Sequence, residues 1–540
     1  MHLKHAGLQV SLLFCYLGMK AIYLPFHCLY LMCKNKQGGQ SMITLIGGIG
    51  LLILGYIFYG TYIEKNFQIK PERVTPAKAL QDGYDFVPMS KSKNAIIELL
   101  NIAGTGPIFG PIMGALYGPV AYLWIVLGCI FAGGVHDYMI GMISLRNNGA
   151  HLPELASKYL GKPVKHVVNI FAMLLLLLVG TVFVSSPANL IADITPSWLT
   201  VGIITALIFV YYLISTVLPI DKALGKVFPI FGAILIVSTL AIGISLLFSG
   251  HDIPNLSVQT MNNFHPEGTA IFPALFFTIS CGALSGFHAT QAPMVSRTTE
   301  GEREGRFTFY GMMVGEGIIA MIWAAASMTL FDGQTLSAII NAGTPSAVVN
   351  EVSILLLGNV LGTIAIIGVI VLPISSGLSA FRSCRTILAD YIGMKQDKIK
   401  KVLLVAVPLF VISFVLTQID FNILWRYFNW ANQVTAVISL LVSTRYLFLK
   451  GRNYFVTLIP GSFMLYACIV YILSEPIGLQ MGLTPLSYAL GGVLTLGVLW
   501  LFWQTGLKQK ASLSPDSQLL NDQWPIQTFL KNKEASELGK

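Results

Sequence analysis

The sequence predicts an all-α polytopic membrane protein, and three observations carry that prediction. Of its 540 residues, 54% are hydrophobic and only 11% are charged, where a soluble domain carries about 25% charged residues. The mean hydropathy is +0.70. Thirteen apolar runs come near or exceed the roughly 20 residues a helix needs to cross the hydrocarbon core. Together these exclude a water-soluble multidomain enzyme, a nucleic-acid-binding module and a disordered chain. The net charge of +9 does not signal nucleic acid, because the basic residues mark loops.

The runs are 42–62, 96–118, 119–143, 166–186, 197–217, 227–249, 270–292, 307–331, 352–380, 401–417, 422–447, 454–474 and 485–505. Cytoplasmic loops of membrane proteins collect Lys and Arg, which tests the marking independently. Segment 63–95 holds six, 144–165 four, 218–226 two, 293–306 three, 381–401 six, 445–452 three and the tail after 507 five. The loops between them, at 187–196, 250–269, 332–350, 418–421 and 475–484, hold none. A missed span would break this alternation downstream. Met42 is therefore expected to open outside, and the C-terminus to lie in the cytoplasm.

Residues 1–41 fit this pattern badly, because Lys20 breaks their apolar stretch and no small-residue cleavage site follows it. They read as an upstream extension or an extra anchor helix. The rest divides into a peripheral first helix with its cytoplasmic loop (42–95), a first core unit (96–249), an outer loop (250–269) and a second core unit (270–447). Two peripheral helices (448–507) and a cytoplasmic tail (508–540) complete the chain. The seven cysteines are scattered with no CxxC spacing, so neither a disulfide framework nor a zinc site is indicated.

Each core unit contains five helices, and the first unit starts inside while the second starts outside. That is an inverted repeat, a common transporter plan. The leading helix of each unit carries a helix-breaking run: Ala103-Gly104-Thr105-Gly106-Pro107-Ile108-Phe109-Gly110-Pro111 in the first, and Ser280-Cys281-Gly282-Ala283-Leu284-Ser285-Gly286-Phe287-His288 in the second. Pro107 lacks an N–H and clashes with the preceding turn. Unwound backbone inside a bilayer survives only where protein or a wet cavity surrounds it. Matching interruptions in two halves point to a midplane substrate site. Gly104, Thr105, Gly106, Pro107, Ser280, Gly282, Ser285, His288 and Gln291 are the candidate substrate contacts. Gly and Pro also serve close helix packing in membranes, and for either break alone that reading stands beside the functional one.

The polar residues inside predicted spans are the other candidates. Glu316 lies midway along its helix between Gly315 and Gly317, where a charged carboxylate costs roughly 2.5 kcal/mol or more on insertion scales. An acid that is neutral when occluded and ionised when wetted carries a proton; a structural hydrogen bond is the alternative. His136 and Asp137 could relay protons or gate the inner side, or form a satisfied interhelical pair. Ser375, Ser376 and Ser379 share one helix face by spacing, and their hydroxyls could ligate Na⁺ or simply bond back to the i−4 carbonyl. Asn429, Asn432 and Gln433 share a face and could line a polar path. Arg426 either anchors at the interface beside Asp420 or draws an anionic substrate inward. No GxxxxGK[ST], HExxH, GxSxG or haem motif appears, so no cofactor and no ATP coupling within this chain is expected.

At these motifs the chain resembles the carbon starvation protein A (CstA) family. The resembling runs are Ala103 to Gly110, Ile130 to Tyr138, Ser144 to Gly161, Cys281 to Pro293, Phe309 to Ala324 and the Asn432-Gln433 pair, in one order across about residues 42–450. The length suggests the family's shorter branch. The resemblance implies a bacterial or archaeal inner-membrane transporter with the five-plus-five core of the LeuT-like superfamily. It implies uptake of pyruvate, coupled to H⁺, or of short peptides during carbon limitation. His136, Asp137, both breaks, His288 and Glu316 match family positions. Leu378 departs from the pattern, because many relatives carry Asp there; if that acid couples transport to a cation in relatives, this chain must use Glu316 or Asp137, or its coupling is altered. The expected partners are a small-molecule substrate, a coupling ion (H⁺, with Na⁺ as alternative) and the lipid bilayer, with no nucleic acid and no enzymatic activity; oligomeric state is left open. A transporter-like nutrient receptor without net flux and a channel are the rivals.

Overall fold

In hydrocarbon every backbone N–H and C=O must be satisfied within the protein, and helices do this within one segment. The computed structural model describes residues 42–83, 85–217, 228–396, 398–513 and 519. The expectations for residues 1–41 and for most of the 508–540 tail lie outside the described residues. The structure is 78% helical, and among the described residues the nearest thing to a strand is one isolated bridge, Met89 with Thr299.

In chain order the helices are α1 (Ile43–Phe67), α2 (Lys91–Ala103), α3 (Gly106–Gly114), α4 (Val120–Arg146), α5 (Leu152–Leu160) and α6 (Lys162–Ile194). There follow α7 (Val201–Ser215), α8 (Phe228–Phe248), α9 (Ile271–Thr278), α10 (Gly286–Ser296) and α11 (Glu302–Leu330). The last five are α12 (Gly333–Tyr391), α13 (Ile399–Leu416), α14 (Phe421–Leu449), α15 (Phe455–Ser474) and α16 (Pro485–Ala511).

Eight of these are long and apolar enough to cross a membrane, or nine with the bent α2–α3 pair as one span. The other four predicted runs are helical but fall short of that measure. α7 has 15 residues, α8 runs for 21 residues with Gly232–Phe248 as its apolar stretch, α9–α10 is split, and α14 carries polar side chains through its middle. Predicted loops also hold helix, including a single turn at Pro76–Ala79. Residues 152–160 form the amphipathic α5, with Pro153 in its first turn. The predicted outer loop 332–350 is mostly helical, because Asp332 caps α12 through Thr335 N–H. α12 then continues for 59 residues across non-helical backbone at Gly343, Thr344 and Gly358.

Packing among the helices places the breaks at the centre. α2 and α3 pack on α11, α10 packs on α4, and α6 packs on α12. α8 packs on α2, α11 and α12, while α14 packs on α10, α4 and α6. π-helical turns at Cys129–Gly133 in α4 and Arg306–Gly311 in α11 face each other across this core. There Tyr310 Oη donates to the Ile130 carbonyl at 2.8 Å. Such single-turn bulges re-aim the side chains after them, here His136 and Asp137 on one helix and Glu316 on the other.

Candidate functional site

The first break follows from Gly104, which takes φ +48° and ψ −145° after Ala103, a conformation closed to most other residues. The chain turns by 45° between α2 and the α3 segment. One open carbonyl at the end of α2 and the Asn101 side chain find partners on α12. Ser376 Oγ donates to the Leu100 carbonyl at 2.6 Å, and Ser379 Oγ donates to Asn101 Oδ1 at 2.9 Å. Ser375 Oγ instead bonds back to the Leu372 carbonyl at 2.6 Å. The serines proposed for Na⁺ therefore sit on the first break or on their own helix. Thr105 is buried at the turn with no hydrogen bond to its Oγ1.

The second break spans residues 279–285, between α9 and α10. Gly282 supplies φ +88° there. The three amides of α14 hold this unwound strand. Asn429 Oδ1 accepts from Ser280 Oγ at 3.1 Å. Asn432 Oδ1 accepts from the Phe287 N–H at 2.7 Å and from Ser285 Oγ at 3.2 Å. Gln433 Nε2 donates to the carbonyls of Leu284 at 3.0 Å and Phe276 at 3.1 Å. Asn432 and Gln433 thus bond backbone groups that a continuous helix would have paired, while Asn429 holds the Ser280 side chain.

The two breaks touch. Any Cβ on Gly106 would collide with the Cys281 side chain, so no cargo-sized gap separates them at that point. A small cavity of about 10 Å³ lies beside the first break, lined by Asn101, Ser379, Met294 and Thr298 among others.

Beside this contact a chain of titratable groups crosses three helices and ends on a serine of a fourth. His136, Asp137, His288 and Glu316 are all 0% exposed. Asp137 Oδ1 meets His136 Nδ1 at 2.7 Å, and its Oδ2 meets His288 Nδ1 at 2.8 Å. An ionised carboxylate only accepts hydrogen bonds. Asp137 therefore assigns a proton to Nδ1 of both imidazoles. That leaves His136 Nε2 for the Ser439 hydroxyl on α14 and His288 Nε2 for Glu316, whose Oε2 lies 3.4 Å away. The order Ser439, His136, Asp137, His288, Glu316 links α14, α4, α10 and α11. A proton can occupy Glu316 or His288 Nε2 without any backbone movement. Gln291, one turn beyond His288, instead bonds Thr290 Oγ1 at 3.0 Å and reaches Ser383 at 3.5 Å.

Three site residues escaped the sequence reading. Glu98 on α2 is fully buried, interacts electrostatically with Asp137, His288 and Glu316, and neither of its oxygens has a hydrogen-bond partner. An acid inside a predicted span was the available signal, obscured by its nearness to Lys91 and Lys93. Cys281 and Ser439 gave no signal, since both are ordinary in membrane helices. Arg426 is exposed and faces Glu475 electrostatically, whereas Asp420 caps α14 through the N–H groups of Asn422 and Ile423.

At the Arg146 end of the bundle lies a second polar cluster. The Arg146 guanidinium grips Glu302 at 2.9 Å through both Nε and Nη2, and donates to Tyr446 Oη at 2.8 Å and to the Gln68 carbonyl at 2.7 Å. Glu302 also accepts from the Lys70 N–H at 2.6 Å and faces Arg73 at 3.4 Å. Asn94 ties the start of α2 to Thr298 and Thr299 at 2.6 and 2.7 Å. These bonds join α1, α2, α4, the loop after α10 and α14 below the breaks.

Comparison with known proteins places this arrangement among relatives. A family model described as carbon starvation protein CstA matches residues 40–207 and 198–421. An uncharacterized membrane protein of Haemophilus influenzae is 47% identical over 346 residues, covering 55% of this chain and 93% of the relative. The peptide transporter CstA of Campylobacter jejuni is 28% identical, over 56% of this chain and 52% of its own length. The pyruvate/proton symporter BtsT of Escherichia coli is 28% identical, over 54% of this chain and 50% of its own length. The chain thus spans about half the length of these two named transporters.

Proposed function

The chain belongs to the carbon starvation protein CstA family, and we propose that it is a secondary active importer of a small carboxylated nutrient, pyruvate or a short peptide, driven by protons across a bacterial inner membrane. The observation that carries this reading is the buried line from Ser439 through His136, Asp137 and His288 to Glu316, set against two broken helices. Glu316 exchanges the coupling proton, and His288 passes it along. The N–H groups freed at the first break face the substrate carboxylate, with Ser280, Ser285, His288 and Gln291 on the opposite wall. The relatives' names, peptide transporter and pyruvate/proton symporter, support the substrate class.

Five-plus-five inverted symmetry is part of the same proposal, and the packing pattern supports it. Exchanging the first unit (α2–α3, α4, α6, α7, α8) with the second (α9–α10, α11, α12, α13, α14) carries several of the contacting pairs onto other contacting pairs. The α2/α3 contact with α11 becomes that of α10 with α4, and α8 with α12 becomes α14 with α6. In this reading the Arg146–Glu302 cluster is the cytoplasmic gate, held closed here, and the C-terminus faces the cytoplasm. Rocking one bundle against the other parts the touching breaks and opens the substrate space.

The test is uptake of labelled pyruvate by proteoliposomes, with and without an inward proton gradient, and with di- and tripeptides as competitors. Saturable uptake accelerated by the gradient supports the proposal, and the competitors sort the substrate. Uptake that follows Na⁺ and ignores pH would move the coupling to Ser375, Ser376 and Ser379. Binding without flux would make the protein a receptor.

A further inference from the structure

Five side-chain atoms at the junction of α2, α10 and α11 are buried without a hydrogen-bond partner: both oxygens of Glu98, both of Glu316, and His288 Nε2. Buried acceptors left unpaired are costly, and three carboxylates, those of Glu98, Asp137 and Glu316, surround His288 here, with His136 on the far oxygen of Asp137. Such a cluster attracts a cation, and one proton leaves most of these lone pairs unused. Beside it lies a thiol. The ligating atoms of Cys281, His288 and Glu316 all lie within 4.8 Å of one another.

We propose that Cys281 Sγ, His288 Nε2 and a Glu316 carboxylate oxygen form a binding site for a divalent transition metal of the Zn²⁺ class. In a tetrahedral zinc site, bonds of about 2.0–2.3 Å set ligand atoms roughly 3.3–3.7 Å apart. The His288 to Glu316 edge already stands at 3.4 Å, and the longest edge has to close by only about 1 Å. Asp137 occupies His288 Nδ1 at 2.8 Å, which turns the lone pair of Nε2 toward Glu316. A carboxylate on the far nitrogen of a ligating histidine is the usual support of such sites. Ser285 Oγ lies 3.5 Å from the Cys281 sulfur, and turning its one proton from Asn432 to the sulfur would let it donate to a thiolate. One thiolate, one imidazole and one carboxylate select a Zn²⁺-like ion over Mg²⁺ or Ca²⁺, which need all-oxygen shells. Binding sends the thiol proton, and any proton on Glu316, to solvent. Three protein ligands leave one corner open. The ligands come from two helices and straddle a break, so their sequence spacing resembles no zinc motif.

The site shares His288 and Glu316 with the transport reading, yet it needs no flux, so the two are tested separately. The experiment titrates Co²⁺ into the detergent-purified full chain, isolated without a polyhistidine tag. The readouts are the visible bands of tetrahedral Co²⁺ and the near-ultraviolet thiolate-to-cobalt band. One Co²⁺ per chain, displaced by Zn²⁺ and not by Mg²⁺, is expected. Cys281→Ser should remove the thiolate band, and Asp137→Asn should weaken binding by about 10- to 100-fold. Cys468→Ser, and a chain with Cys15, Cys28 and Cys33 all changed to Ser, should keep the band. Monodispersity and helicity of Cys281→Ser separate a lost ligand from a lost fold. Should that variant fail to fold, protection of Cys281 from alkylation by Zn²⁺ in the native chain gives the same answer. No binding, a band that survives in folded Cys281→Ser, or alkylation of Cys281 indifferent to Zn²⁺ overturns the proposal. Gradient-driven uptake intact in a chain that binds no Co²⁺ would refute the metal site alone, and Co²⁺ binding without uptake would refute the transport reading alone.

Discussion

Replacing Asp137 by Asn probes the buried relay with the smallest change of shape. Asp137 now accepts from His136 at 2.7 Å and from His288 at 2.8 Å, one imidazole on each oxygen. Asn offers one acceptor oxygen and sets N–H donors where the other oxygen stood. One imidazole must then accept at Nδ1, which moves its proton to Nε2. If it is His288, the new Nε2 proton points at Glu316; if it is His136, the bond to Ser439 reverses. Either way both bonds lose the charge of the carboxylate; with about 1.5–3 kcal/mol for a bond to a charged group against about 0.5–1.5 for a neutral one, the two together cost roughly 10- to 100-fold in a rate that depends on them. The assay is the initial rate of labelled pyruvate uptake into proteoliposomes across a range of external pH. The expected result is a rate lower by about one to two orders of magnitude and a displaced pH profile, in a variant that stays monodisperse. Wild-type rate with an unchanged pH profile would refute the relay.

Four further outcomes follow from the same geometry. Glu316→Gln should abolish acceleration of uptake by a proton gradient while substrate counterflow persists; full gradient-dependent uptake would remove Glu316 from coupling. Glu302→Gln removes the buried carboxylate that Arg146 grips through Nε and Nη2, at a cost of up to about 3–5 kcal/mol. Thiol reagents should then label Met294→Cys faster, since Met294 lines the small cavity beside the first break, and unchanged labelling would show that the cluster is no gate. Asn432→Ala orphans the Phe287 N–H, so the unfolding midpoint should fall by the equivalent of about 1–3 kcal/mol, and Asn432→Asp, which keeps the acceptor, should lose less. His151, outside the spans, is held well below the usual imidazole range by burial and then by the Arg297 charge. Its unfolded form takes up a proton that the folded form refuses. Stability is therefore complete above the unfolded value of about 6.5 and falls below it by up to about 1.4 kcal/mol per pH unit; the midpoint measured against pH should lose part of that slope in His151→Gln.

Much of this architecture was legible because its signals are local. Apolar runs, the Lys and Arg of alternate loops, and the Gly and Pro of both breaks are written in contiguous residues. His136, Asp137, His288 and Glu316 stood out singly as polar side chains in apolar helices. Their union through Asp137 was not legible, since it depends on how α4, α10 and α11 turn toward one another. Packing also decided what Asn429, Asn432 and Gln433 do: a shared helix face suggested a path, and the contacts show them bonded to an unwound strand. Glu98 hid because KSKN precedes it and the segment reads as a loop edge. Glu302 hid among Glu300, Arg303 and Glu304, where a solvated charge run is the ordinary expectation. Asn101 and Ser379 could be matched only once the first break had bent α2 against α12.

The most direct test of proton coupling follows two fluxes at once, with a pH-reporting dye sealed inside proteoliposomes while labelled pyruvate enters. Acidification of the lumen that starts with substrate, scales with its entry and vanishes in Glu316→Gln is the predicted record. Pyruvate entry with no change in internal pH beyond that of protein-free vesicles would contradict it.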